Sequence, residues 1–268
     1  MALVAIVGNT SRDTIAGGPP RVGGGPYHCG RALRAVGARA ALVTKLGPDV
    51  CADELARLGL PLHTLPAAST AAFAIDYAGE MRRMTVESLG DPWTPGEVHA
   101  LSDALEHVRW VHVAGLARSD FPAETLAVLR KGRRLSLDGQ ALVRPARIGP
   151  LELDADFDPE LLRHVSVLKL AEEEADVLGV RPADERSFGR LGVPEIVVTL
   201  GSRGAVLFAD GLAEWIPGRA VPGVEDPTGA GDAFAAFYVT TRAAGRDPVR
   251  ATRRANALVA DLLTGRAA

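Results

Sequence analysis

The feature that most narrows the fold is an alternation of short β-like runs with helical runs along most of the chain. An apolar run at residues 3–7, ending at Gly8, has the shape of a buried strand. "GPYHCGRALRAVG" then places apolar residues at helical spacing and stops at Gly37. "RAALVTKLG" reads as a strand and "DVCADELARLG" as a helix. "RWVHVAG" and "RRLSLDG" read as strands around the helix "FPAETLAVLRKG", with Pro122 near its first turn and Gly132 at its end. "VSVLKL" is a strand and "AEEEADVLG" a helix. "EIVVTLG" is a buried strand with "GAVLFAD" as its neighbour, and two helical runs after residue 229 close the chain. Such an order predicts an α/β sandwich around a mostly parallel sheet. A length of 268 residues with 47% apolar residues suits one large domain with an ample core.

One stretch breaks the rhythm. "AAFAIDYAGEMRRMTVESLG" has no helical stripe and reads as two strands joined near Gly79 and Glu80. It predicts a β-hairpin, over about 71–87, lying as a small flap beside the sheet.

Charge and cysteines bound the function. A net charge of −3 argues against a general nucleic-acid binder. Cys29 and Cys51 form no CxxC motif and suit a reducing compartment. The start lacks the pattern of a signal peptide, and no apolar run reaches membrane-spanning length. The expectation is a cytoplasmic protein with no membrane or nucleic-acid partner. Lys occurs only at 45, 131 and 169, which reads as compositional bias toward Arg.

The stretch with most chemical content is "DPTGAGDAF" at 226–234. A helix start presents unpaired N–H groups and a partial positive charge, and glycine lets a ligand approach that backbone. Gly229, Ala230 and Gly231 would therefore favour a phosphate or a phosphoryl group in transit. Asp232, in the first turn, would repel a phosphate but would accept a proton from a hydroxyl attacking it. A tight turn with an ordinary N-terminal aspartate explains the same residues, and a short motif alone leaves both readings open.

The nonapeptide resembles the C-terminal signature of the ribokinase-like, or pfkB, carbohydrate kinases. "VVTLGSRGAVLF" resembles that family's nucleotide-binding strand pair, and "RVGGGPYHCGRALRAVGA" and "TKLGPDVCADEL" resemble its N-terminal segments. The resemblance covers nearly the whole chain. It implies a ribokinase-like three-layer α/β sandwich over 1–268, with the hairpin as a β lid. It implies Asp232 as catalytic base and Gly229, Ala230 and Gly231 as the anion hole. Thr199, Gly201 and Gly204 would line the nucleotide site, with Asn256 near the adenine. Asp13, Gly24, His28, Gln140 and Arg144 would hold a sugar or polyol acceptor, and Glu174 would help organise the metal. ATP and Mg²⁺ are the implied cofactors, with a monovalent cation as a further option. Monomer and homodimer both stay open.

Three departures stand out. Ala171 replaces the Asn of the family's Asn-x-x-Glu, while Glu174 keeps the Glu. His28 stands where many sugar kinases have an Asn facing the substrate. In "DGQALVR", Gln140 takes an Asn position and Arg144 lies two residues late. The last two point to an acceptor other than ribose or fructose, such as a cyclitol. A vitamin- or nucleoside-type kinase of the same fold and a non-catalytic sensor are the rival readings.

Weaker features read as structure. "GGPPRVGGG" lacks the GK[ST] of a Walker A loop and reads as a substrate-side loop. The six His show no zinc pattern. His112 reads as a satisfied core histidine.

Overall fold

The computed structural model describes residues 4–50, 52–78, 81–221 and 228–265. Cys51, the Gly79–Glu80 turn and the Asp226–Pro227 start of the glycine signature lie outside the described residues.

Among the described residues, fourteen strands form two sheets. In chain order the strands are β1 (Val4–Asn9), β2 (Ser11–Ile15), β3 (Arg21–Gly23), β4 (Ala41–Leu46), β5 (Leu62–Pro66), β6 (Ala71–Ala78) and β7 (Met81–Ser88). They continue as β8 (Trp110–Val113), β9 (Arg134–Asp138), β10 (Gly149–Pro150), β11 (Val167–Ala171), β12 (Glu195–Thr199), β13 (Gly204–Ala209) and β14 (Leu212–Pro217). The main sheet runs β14-β13-β12-β11-β9-β8-β1-β4-β5. It is parallel from β12 to β5, and β13 and β14 add an antiparallel edge. Strands such as β1 and β8 are buried along their whole length, as a sheet covered on both faces requires.

Two apolar cores lie on the two faces. Helices α1 (Gly25–Ala35), α2 (Ala52–Ala56), α3 (Pro95–Ala100), α4 (Ser102–Leu105), α5 (Ala123–Arg130), α6 (Gln140–Val143), α7 (Glu172–Val177), α8 (Glu185–Gly189), α9 (Ala230–Ala243) and α10 (Pro248–Leu263) divide between them. Leu33 of α1, Leu55 of α2, Phe237 of α9 and Ala255 of α10 pack on one core. Val98 of α3, Leu126 of α5, Ala175 of α7 and Phe188 of α8 pack on the other. The result is the three-layer sandwich that the alternation predicts.

Helix α9 carries the glycine signature at its start and is buried on nearly every side, from Ala233 to Val239. Its far end is pinned by ions. Tyr238 Oη donates to Glu195 Oε2 at 2.7 Å, and Arg242 Nε reaches the same oxygen at 3.1 Å. Glu195 opens β12, so the carboxylate ties the helix to the sheet it crosses.

The flap is larger than a hairpin. β6 and β7 pair antiparallel as expected, but β2 lies parallel beside β6, β3 beside β2, and β10 beside β7. The second sheet therefore has five strands, in the order β10-β7-β6-β2-β3. Asp13, a candidate acceptor residue from the sequence, sits on β2 within this sheet. The polar, Gly-rich stretch from 9 to 25 hid two short strands that pair with segments far away in sequence.

His112 is fully buried on β8, with Nδ1 3.2 Å from Ser136 Oγ, and burial lowers its pKa to about 4. Its Nε2 has no partner among the described residues, so this core histidine is half satisfied.

The loop after β8 is held by Asp120, which accepts the Leu116 N–H at 2.8 Å and is 2% exposed. Burial pushes its carboxyl up to about 6, against an ordinary value of 3.8. The folded state thus binds this proton more tightly than the unfolded chain. Stability from this group is fully present below about pH 4 and is lost as pH rises through about 6. Asp120→Asn keeps an acceptor for Leu116 and removes the titration. Urea midpoints of wild type minus variant should fall between pH 4 and 6.5; a flat difference would refute the assignment.

Candidate active site

Two cavities meet at the C-terminal ends of β11 and β12, the edge where parallel α/β sheets present their ligand crevices. The larger is about 460 Å³ and mostly polar in its walls, and the smaller is about 300 Å³. Asp13, Gly24, His28, Gln140, Arg144, Glu174, Gly229 and Asp232 line the larger. Gly204, Ala230 and Asn256 line the smaller, with Phe234, Val259 and Leu263 as its apolar wall. Thr199, Gly201 and Gly231 border both. Every site residue expected from the sequence thus lies on one of two adjoining cavities.

Their junction is the start of α9. Gly229 is the residue before the helix and has φ +81°, a left-handed conformation that glycine adopts without strain. A Cβ built there would also lie 2.7 Å from His28 Nδ1. The ring of His28, near the start of α1, therefore packs against the bare face of Gly229. Cys29, the next residue, donates its Sγ–H to the Asp232 carbonyl at 3.3 Å. Two helix starts are fixed against each other in this way. Among the described residues no side chain caps the start of α9, so its first N–H groups are open to a ligand or water.

Asp232 sits in the first turn. Burial pushes its carboxyl up, and His28 pulls it back. Asp138 adds to the rise, while Lys169 and Arg144 oppose it. Lys169 and Asp138 are two residues that the sequence reading missed. Lys169 on β11 is 4% exposed, and its Nζ lies 3.3 Å from Asp138 Oδ2 at the end of β9. A Cβ built on Gly231 would meet that Nζ at 3.0 Å, so the ammonium stands directly behind the glycine shared by the two cavities. Burial alone would lower the lysine's pKa; Asp138, Glu174 and Asp232 outweigh it and raise the pKa, so the ammonium stays charged. A sequence signal existed. This is one of three lysines, and it interrupts an apolar strand, where a charge is found only when paired.

Glu174 is 4% exposed and accepts the Ala171 N–H through Oε2 at 2.8 Å. Ala171 has no side-chain oxygen to complete a reciprocal cap or to ligate a metal. Burial pushes Glu174 up to about 7, against the pull of Lys169. Among the described residues no cluster of three His, Cys, Asp or Glu side chains could cage an ion. Mg²⁺ does not need one, since it keeps several waters and takes one or two carboxylates beside phosphates. Glu174, a buried carboxylate facing a polar cavity, fits that mode.

Asn256 borders the smaller cavity, but its amide nitrogen donates to the Ile216 and Pro217 carbonyls, each at 3.2 Å. It clamps the end of β14 and leaves only its oxygen for a ligand.

The family model of pfkB family carbohydrate kinases matches residues 21–265. The chain belongs to that family. Within it, the chain is 27% identical over 222 residues to an inositol 3-kinase of Oryza sativa subsp. japonica, covering 76% of this chain. It is 44% identical over 77 residues, 28% of its length, to a 2-dehydro-3-deoxygluconokinase of Thermoproteus tenax. The matches span 52% and 23% of those two proteins, so the chain covers about half or less of the curated relatives it matches. Among solved structures, a pyrophosphate-dependent kinase of the ribokinase family, complexed with a pyrophosphate analog and myo-inositol, superposes with a TM-score of 0.81. It shares 22% identity, with 97% of this chain and 95% of that one covered. The pfkB-family chain therefore has a ribokinase-like fold.

The buried ion pair gives a structural test. Lys169→Met should destabilise the chain by about 3–5 kcal/mol, because Asp138 is left buried beside Glu174 without its cation. Adding Asp138→Asn should recover much of that loss. Urea denaturation of the two variants checks both, and equal stability of the single and double variants would contradict the pairing.

Proposed function

We propose that this chain transfers the γ-phosphoryl group of ATP to a hydroxyl of a small sugar or polyol, with a cyclitol as the leading acceptor class. One observation carries the reading: a polar cavity and an apolar-walled cavity meet at the glycine start of α9, with Asp232 on the polar side. The apolar wall of Phe234, Val259 and Leu263 suits a nucleobase and would serve no purpose for pyrophosphate alone. That supports ATP as donor, although a relative in the same fold uses pyrophosphate.

The residues divide the work. Asp13, His28 and Gln140 offer hydrogen bonds to acceptor hydroxyls. Asp232 takes the proton of the hydroxyl that attacks the γ-phosphorus. The new P–O bond forms as the bond to the bridging oxygen of ADP breaks. N–H groups of residues 229–231 and the ammonium of Lys169 face the charge that spreads over the phosphoryl oxygens. Glu174, through water, would hold Mg²⁺, which when bound neutralises charge on the donor phosphates. Water exclusion falls to the five-stranded lid sheet over the acceptor cavity.

A second reading has its own support. Arg144 brings a cation to the acceptor cavity, which favours an acidic sugar such as 2-dehydro-3-deoxygluconate, the substrate named for the archaeal relative.

The test is a matrix of donors and acceptors. ATP and pyrophosphate are each paired with myo-inositol, ribose, fructose, 2-dehydro-3-deoxygluconate, a nucleoside and pyridoxal, and ADP or phosphate release is followed. Turnover with ATP and a cyclitol supports the reading. Turnover with pyrophosphate alone would overturn the donor, and turnover with the nucleoside or pyridoxal alone would overturn the acceptor class. No turnover on any pair would favour a non-catalytic sensor. In the active pair, Asp232→Asn should lower kcat by about 10²–10⁴-fold with donor affinity nearly unchanged.

The pH profile gives a further check. Burial raises both Asp232 and Glu174, so the acid limb of kcat/KM should lie well above the ordinary carboxylate value of about 4. Glu174→Gln removes the group near 7 and should move that limb to lower pH. A limb that stays in place would take Glu174 out of the reaction.

A further inference from the structure

A third cavity lies apart from the active site, between α1 and the turn that follows α2. It measures about 490 Å³, and its walls include Tyr27, Arg31, Arg34, Glu54, Arg57 and the buried Leu58. It shares no lining residue with the two cavities that meet at α9.

Helical spacing builds one wall. Tyr27, Arg31 and Arg34 follow one another at four and three residues, so they stand on one face of α1. Glu54 of α2 and Arg57 of the turn supply the other wall. A Cβ on Gly30 would lie 2.7 Å from Leu58 Cδ1, so this glycine lets the two segments pack closely. Arg34 ties them together by donating through Nη1 to the Arg57 carbonyl. The Arg31 guanidinium carbon lies 5.8 Å from the centre of the Tyr27 ring, a cation–π contact that holds it at the cavity.

The charge here is unbalanced. Exposed arginines elsewhere are paired, as Arg12 is with Asp49, Arg203 with Glu172 and Arg219 with Asp261. Among the described residues Arg31, Arg34 and Arg57 form no ion pair, although Glu54 lines the same cavity. Three guanidiniums against one carboxylate leave a charge of +2. A phosphate monoester carries about −1.5 to −2 at neutral pH, and a guanidinium binds it through paired hydrogen bonds. A merely solvated face would account for the charge. It would not account for the concave shape, or for two guanidiniums held in place, one on a carbonyl and one on a ring.

We infer that this cavity binds a phosphate monoester of a small hydroxylated molecule: the arginines take the phosphate, and Glu54 accepts hydrogen bonds from hydroxyls. Glu54 sets the ligand class. A carboxylate repels bare phosphate and polyphosphate but is satisfied by hydroxyl donors. That chemistry has two sources, a phosphorylated polyol such as the proposed reaction releases, and a nucleoside monophosphate with its base against Tyr27. Tyr27 also meets the His28 ring edge on, with centroids 5.5 Å apart, so two rings in contact link this cavity to the acceptor cavity.

The test is titration calorimetry on the full chain with myo-inositol 1-phosphate, AMP and inorganic phosphate. Both monoesters also fit the active site, so each titration compares wild type with the double variant Arg34→Gln, Arg57→Gln. Wild type should show a second site for one monoester, and the double variant should lose at least about tenfold in affinity there, with an unchanged melting temperature. The monoester that responds identifies the source. Glu54→Gln should tighten inorganic phosphate at this site about threefold and weaken the monoester by a similar factor. Turnover of any substrate pair active in wild type should stay within about twofold in the double variant, whose changes touch neither active-site cavity. If the double variant does not fold, Arg31→Gln replaces it, since that change keeps the Arg34 contact to the Arg57 carbonyl. Equal stoichiometry and affinity in wild type and folded variant, for both monoesters, would overturn the site. Inorganic phosphate binding there as tightly as both monoesters would overturn the ligand class. Neither result depends on turnover, so failure of the kinase reading would leave this inference standing.

Discussion

The site depends on one buried cation. Lys169 comes up from β11 into a space shared by Asp138 of β9, Glu174 of α7 and Asp232 of α9. Three carboxylates from three elements would repel one another in a buried setting, and any arriving phosphate would add to the repulsion. The ammonium offsets that charge at the point where the elements converge. It also lies under Gly231, so the same group that permits the carboxylates to gather stands behind the helix start. Burial drives Glu174 toward neutrality, and the lysine opposes it. The balance leaves Glu174 at about 7, against an ordinary value of 4.5.

Around that cation the backbone is shaped by absence of side chains. Gly229 takes a left-handed turn against His28, and Gly231 rests on the Lys169 ammonium. Alanine at either position would meet a neighbour at 3.0 Å or less. Gly229 and Gly231 thus let α1 and β11 approach the helix start closely, with His28 and Lys169 both acting on the Asp232 carboxyl.

What could be read in the sequence was local. The strands of the main sheet are apolar runs buried on both faces, and the helices between them carry their own stripes and stops. The start of α9 was legible because its chemistry lies within nine residues. The second sheet was less so. β2, β3 and β10 are five, three and two residues long, and they pair with strands 60 or more residues away, or with one another across a polar loop. Segments that short carry no periodicity, and their pairing is decided by the fold around them. Asp13 was therefore read as a candidate acceptor residue with no strand recognised around it. Lys169 escaped although a charge inside an apolar strand was a signal, because its partner Asp138 lies 31 residues away in the sequence.

The two sheets meet at one cavity. The C-terminal edge of the parallel sheet brings the start of α9, the Lys169 ammonium and its neighbouring carboxylates to it, and the lid sheet adds Ser11, Asp13, Phe73, Ile75 and Met84. The sheets are joined tightly. β1 ends at Asn9 and β2 begins at Ser11, with only Thr10 between them, and Thr10 Oγ1 donates to the Lys45 carbonyl at 2.8 Å. Gly24, between β3 and α1, has φ +88°, and a Cβ there would strike the Asn9 carbonyl at 2.5 Å. The root of the lid is thus packed onto the end of β1, backbone against backbone. From that joint the chain runs one way into the lid, where Asp13 lies on β2, and the other way into α1, where His28 packs against Gly229.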